Sequence, residues 1–114
     1  MSRQIPKAEW QAYFDSISET MAGTQVELEV ASLGLADQLE AEWVEFEGIA
    51  YDPEDDRIEF VLQDLDHMID KPCEIWIDET AVSLLGLEVV DAKGFRHILV
   101  LRTPLMLPTP QKVT

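Results

Sequence analysis

The chain has 114 residues, 46% of them apolar, and 23 acidic against 8 basic side chains give it a formal net charge of −15. That length admits one domain with a single core, and apolar residues so evenly interleaved with charge exclude disorder as the default state. No Lys or Arg occurs from Ala8 to Asp56, where fourteen carboxylates fall, so the surface repels phosphate backbones and anionic headgroups and excludes nucleic acid and membrane as expected partners.

From the N-terminus, Pro6 can open a helix, and Trp10, Tyr13, Phe14, Ile17 and Met21 follow at helical spacing. The stripe predicts an amphipathic helix over 6–22, stopped at Gly23 and turned toward the core. From Thr24 the period changes to two: Val26, Leu28 and Val30 alternate with Gln25, Glu27 and Glu29, which predicts a half-buried strand. After an interruption at 33–38, a second strand over 39–51 has Val44 and Phe46 facing inward, then changes phase at Gly48 so that Ile49 and Tyr51 become the inward positions. A one-residue slip at glycine marks a β-bulge, and the strand is expected to bend there.

Asp52 and Pro53 suit a tight turn into a third strand, where Ile58, Phe60 and Leu62 alternate with charged and polar residues. The segment 64–72 reads as a connection with one helical turn near 65–69, and Cys73, Ile75 and Ile77 set the period of a fourth strand. Leu85, Leu87 and Val89 lead through Asp91-Ala92-Lys93-Gly94 into a sixth strand over 95–102, apolar on both faces. The tail 103–114 holds three prolines and is expected to be irregular. The sum is an α+β fold: one domain over 1–103 with a Pro-rich tail over 104–114, in which an N-terminal amphipathic helix caps about six short antiparallel strands. The sheet is expected to be strongly bent or to form a small, partly closed barrel. An open sheet with the helix across one face is the alternative.

Candidate chemistry is sparse. The turn acids Asp52, Glu54, Asp55 and Asp56 lack the glycine and glutamate of a helix-loop-helix calcium site, since Arg57 and Gln63 stand at the sixth and twelfth positions. Asp66, His67, Asp70 and Cys73 are of ligating type but have no paired zinc spacing, so no metal and no cofactor is expected. His97, between Phe95 and Leu99, reads as a partly buried histidine that would need a carboxylate partner to act as a base. Cys73, beside Glu74, lacks the electropositive surroundings of a nucleophile. No catalytic residue emerges. Trp43 and Trp76 share strand faces with acids, as exposed aromatics at protein contacts do, and Arg96 and Arg102 lie on the second face of the last strand.

Four segments, Ile5-Pro6-Lys7-Ala8-Glu9-Trp10, Tyr51-Asp52-Pro53-Glu54-Asp55-Asp56, Glu74-Ile75-Trp76-Ile77-Asp78-Glu79 and Leu87-Glu88-Val89-Val90-Asp91, resemble a family of small bacterial proteins of unknown function. The resemblance covers most of the chain, implies a stand-alone bacterial domain and brings no activity with it.

The expected role is therefore a non-enzymatic protein-interaction module that meets a basic protein through Trp43, Trp76, Arg96 and Arg102. It is expected to be a monomer or a weak homodimer. The single cysteine, which allows no internal disulfide, and the absence of an apolar leader in the first residues point to the cytoplasm. The competing class is a small-molecule binder or enzyme with a site built from loops and strand ends, and a pocket with perturbed titratable groups would favour it. A DNA-mimicking acidic ridge is a third reading.

Overall fold

In chain order, β1 (Ser2–Gln4) and a 3-10 turn (Lys7–Glu9) precede α1 (Trp10–Met21), after which come β2 (Gln25–Ser32), β3 (Leu35–Asp52) and β4 (Arg57–Leu62). The chain continues through β5 (Leu65–Asp70), β6 (Pro72–Glu79), β7 (Ser83–Asp91) and β8 (Arg96–Met106). This computed structural model describes residues 2–32 and 35–106.

Pro6 stands just before the 3-10 turn in an extended conformation, so the α-helix begins at Trp10 rather than at Pro6, and it buries Trp10, Phe14, Ile17 and Met21 of the predicted stripe while Tyr13 is half-buried. Two hydrogen bonds anchor its start: the Trp10 indole N–H donates to the Ile5 carbonyl and the Ile5 N–H to the Ile75 carbonyl, each at 2.9 Å. At the other end the Gly23 N–H donates to the Phe46 carbonyl at 2.9 Å, which ties the helix exit to β3.

The eight strands form one antiparallel sheet in the order β1-β6-β7-β8-β2-β3-β4-β5. Its pivot is β3, whose 18 residues pair first with β2 and then, from Phe46 onward, with β4. Four register slips, each with an extra residue on β3, bend it: three against β2, of which the one between Val26↔Val44 and Leu28↔Ala41 has Trp43 at φ 49°, and one against β4 between Phe46↔Leu62 and Gly48↔Val61. The slip at Gly48 is the one the phase change predicts. An extra residue on one strand of a ladder increases its local twist and turns the sheet.

Four expectations need correction. The bent sheet holds eight strands rather than about six, and it does not close into the barrel offered as the other form: β5 passes through Lys71 alone into β6, whose partners are β1 and β7, so β5 and β1 remain as open edges. The segment 64–72 is not a connection with a helical turn. It holds β5, in which Leu65, His67 and Ile69 face inward against Asp66, Met68 and Asp70, and Asp64 supplies the positive φ (61°) of a two-residue hairpin turn after β4. Three carboxylates had masked that alternation. The three-residue β1, with no buried side chain, gave no periodic signal at all. Finally, β8 runs on to Met106, where Leu105 pairs with Leu84, while the rest of the tail lies outside the described residues. Pro104, which cannot donate, falls where β8 slips four residues against one of β7 between the pairs Leu84↔Leu105 and Gly86↔Val100.

One core fills the inner face, with Phe14, Phe46, Phe60, Ile58, Ile75 and Leu99 among its fully buried members. No described helix is long and apolar enough to cross a membrane.

Two glycines are held by close approach. A Cβ on Gly86 would lie 2.5 Å from the Leu99 carbonyl oxygen, and one on Gly48 would lie 3.3 Å from Ser18 Oγ, which accepts the Ile49 N–H at 3.1 Å. Gly86→Ala is expected to cost about 2 to 3 kcal/mol and Gly48→Val about 1 to 3 kcal/mol. Urea denaturation checks both, and an unchanged midpoint for either variant would contradict the packing described.

Candidate functional site

Two places in the molecule combine geometry with chemistry. The first is built on the β7–β8 turn. Asp91 ends β7, and its Oδ1 accepts the N–H groups of Lys93 (2.9 Å) and Phe95 (3.0 Å), which fixes the carboxylate in the turn. Asp91 Oδ2 lies 2.9 Å from His97 Nε2, and His97 Nδ1 lies 2.8 Å from His67 Nε2 on β5. His97 is only 6% exposed, and His67 is half-buried with its ring 6.1 Å from that of Phe60.

Hydrogen-bond chemistry gives this chain a direction. An ionised Asp91 only accepts, so the His97 proton resides on Nε2; in neutral His97 the Nδ1 atom then accepts from the His67 Nε2–H. Burial opposes the charge on Asp91, but the hydrogen bonds from His97 and from the Phe95 and Lys93 amides outweigh it and hold the carboxyl below its ordinary range. Burial, followed by the neighbouring His97 ring, lowers the pKa of His67, with a smaller opposing pull from Glu40.

The arrangement holds and can pass a proton along Asp91, His97 and His67. Among the described residues no hydroxyl or thiol hydrogen-bonds either ring; Cys73 is exposed and points its thiol at the Lys71 carbonyl, 3.7 Å away. It is a relay without a nucleophile. Among the described residues no group of three or more His, Cys, Asp or Glu is arranged to hold a metal ion. Two acids of the 52–56 turn have structural partners: Asp52 accepts the Glu54 N–H at 3.0 Å, and Asp56 accepts the Tyr51 hydroxyl at 2.8 Å. Asp70 pairs with Arg57 at 2.7 Å.

The second place is the outer face of β6, β7, β8 and β2, opposite the core. Of the four residues singled out from the sequence, Trp76, Arg96 and Arg102 lie on these strands and Trp43 on β3, and they fall into two groups. Trp76, half-buried on β6, is directly opposite Glu88 of β7, and Glu88 pairs with Arg96 at 2.9 Å. Trp76, Gly86, Ile98 and Val100 help line a depression of about 260 Å³ that also includes Asp78 and Glu88. Trp43 instead lies under the Arg102 guanidinium, 5.7 Å from ring centre to cation, and Arg102 donates to Gln25 at 2.9 Å. The relay escaped the sequence reading because it joins strands thirty residues apart. The available signals were the alternation of Leu65, His67 and Ile69 and the six-residue span from Asp91 to His97 across a hairpin turn.

Comparison with known proteins gives a family and no activity. The sequence profile of a family of unknown function (DUF5335) matches residues 1–110, and the chain belongs to that family. It is 37% identical over 108 residues to an uncharacterised protein of Aquifex aeolicus (strain VF5), which covers 94% of this chain and 97% of that protein. No solved structure matches.

The relay predicts a pH dependence. Because the folded state lowers the His67 pKa below 6.5, its neutral form stabilises the fold fully above that pH, and this contribution is lost as pH falls through 6.5 toward the lowered value. The stability difference between the native protein and His67→Gln, measured by urea denaturation, is expected to shrink between pH 7.5 and 5.5. Parallel curves would contradict the assignment.

Proposed function

We propose that this member of the family of unknown function is a small protein-interaction module that docks a basic partner on the outer face of β6, β7, β8 and β2. One observation carries the reading: no described element covers a face on which Trp76, Ile98 and Val100 stand partly exposed, Val100 by 38%. Cross-strand register places Glu88 between Trp76 and Ile98, with Glu29 on the far side of Ile98 and Glu27 beside Val100. The strip is therefore apolar at its centre and acidic around it. Anchoring aromatics within a polar rim carry much of the binding energy at protein contacts. A chain of net charge −15 favours a Lys- or Arg-rich segment as occupant over a second copy of itself.

The single cysteine, exposed and unpaired, suits work in a reducing compartment such as the cytoplasm. The basic partner is the same one that the composition suggests. Trp43 and Arg102, packed on each other, extend the face toward β3.

A synthetic amphipathic peptide alternating Leu with Lys, with its Leu/Glu counterpart as control, tests the docking. Only the Leu/Lys peptide is expected to bind, more weakly as salt rises, with Val100→Lys weakening it at least about tenfold. Ala50→Lys, an equal change of charge at an exposed site on β3, is expected to leave binding within about twofold of native. Equal effects of the two substitutions would reduce the interaction to bulk charge and overturn the proposed face.

A further inference from the structure

A pocket of about 400 Å³ opens where β5 passes into β6 and β7 turns into β8, and Met68, Lys71, Lys93, Phe95 and His97 are among the residues that line it. It is separate from the docking face. Its lysines stand out in so acidic a chain. Arg3, Lys7, Arg57 and Arg96 each have a carboxylate partner within 4 Å, and Arg102 is engaged with Gln25 and Trp43, whereas no ion pair among the described residues involves Lys71 or Lys93.

The two carboxylates that also line the pocket do not neutralise them. Asp70 is paired with Arg57, and both oxygens of Asp91 are occupied by His97, the Lys93 N–H and the Phe95 N–H. The positions of both lysines are fixed by their backbones. Lys71 is the single residue between two strands, with φ 51°; its N–H donates to the Asp56 carbonyl and its carbonyl accepts the Ala92 N–H, each at 2.9 Å. A left-handed conformation at a residue other than glycine is held only where surrounding bonds over-determine it, and functional sites are where this concentrates. Lys93 sits in the turn that Asp91 caps.

We infer that this pocket binds a small organic anion, whose carboxylate or phosphate group is met by the ammonium groups of Lys71 and Lys93 and whose apolar body lies against Phe95 and Met68. The overall field of the chain repels anions at long range, but salt screens that field beyond about 8 to 10 Å while contacts inside the pocket persist. Selectivity for an apolar body follows from the half-buried Phe95 and from Met68, which is 48% exposed.

Two-dimensional amide NMR with four probes tests the inference: phenyl phosphate, benzoate, inorganic phosphate and benzylamine. Phenyl phosphate, benzoate or both are expected to bind with Kd about 1 mM or tighter and to shift the Lys93, Phe95 and His97 signals, and the tighter of the two identifies the preferred head group. The double variant Lys71→Gln/Lys93→Gln is expected to weaken binding at least about tenfold, and Phe95→Ala to bring phenyl phosphate down to the level of inorganic phosphate. Val100→Lys, on the docking face, is expected to have no effect, so either proposal can fail without the other. Binding that survives loss of both lysines, inorganic phosphate binding as tightly as phenyl phosphate, benzylamine binding as well as benzoate, or no response to either aromatic anion would each overturn the inference.

Discussion

Because β3 changes partners half way along its length, the sheet folds over itself rather than lying flat, and the remaining features of the molecule follow from that fold. A single long strand shared by two ladders forces the β4–β5 hairpin to leave the plane of β2 and β8. Four bulges supply the turn, since each adds a residue on β3 that its partner does not match. The inside of the bend is where the helix stripe and the inward residues of seven strands meet in one core. It also carries β5 across to β8, so that His67 reaches His97 although β5 and β8 are not ladder partners.

The same bend leaves one strand face without a described element over it. With the helix and the inward residues consumed by the core, the outer face of β6, β7, β8 and β2 keeps a mixed character that the alternation of strands dictates: Trp76, Ile98 and Val100 stand among Glu27, Glu29, Asp78 and Glu88. Among the described residues there is one α-helix, and it is spent on the inner face. Exposed strand faces of this kind favour association with something, and the sign of the charge limits what that can be.

Much of this was legible in the residues. The stripe from Trp10 to Met21, the phase slip at Gly48 and the Asp52-Pro53 turn each depend on local spacing, and local spacing is what a sequence displays directly. β1 and β5 were not legible, for different reasons. Three exposed residues carry no period, and in β5 the acids at 64, 66 and 70 made an alternating strand resemble a polar loop. The extension of β8 through Pro104 was hidden because a proline normally ends pairing, and here it sits in a slip where no donor is needed. The Asp91–His97–His67 chain was hidden at a deeper level. Recognising His97 as needing a carboxylate was possible from sequence, but finding His67 beside it requires the curvature of β3, which is a property of the whole sheet.

That curvature is therefore the claim on which the account stands, and the contact it creates can be observed directly. Nitrogen-15 spectroscopy of the imidazoles near pH 7.5 can detect scalar coupling across an N–H···N hydrogen bond between His67 Nε2 and His97 Nδ1. A resolved coupling between those two nitrogens is expected, with the His97 proton on Nε2 facing Asp91, together with its loss in Gly48→Val if that variant straightens β3. Rings with no coupling between these nitrogens would contradict that contact, since they would mean that β5 does not reach β8 and that the sheet is flatter than described.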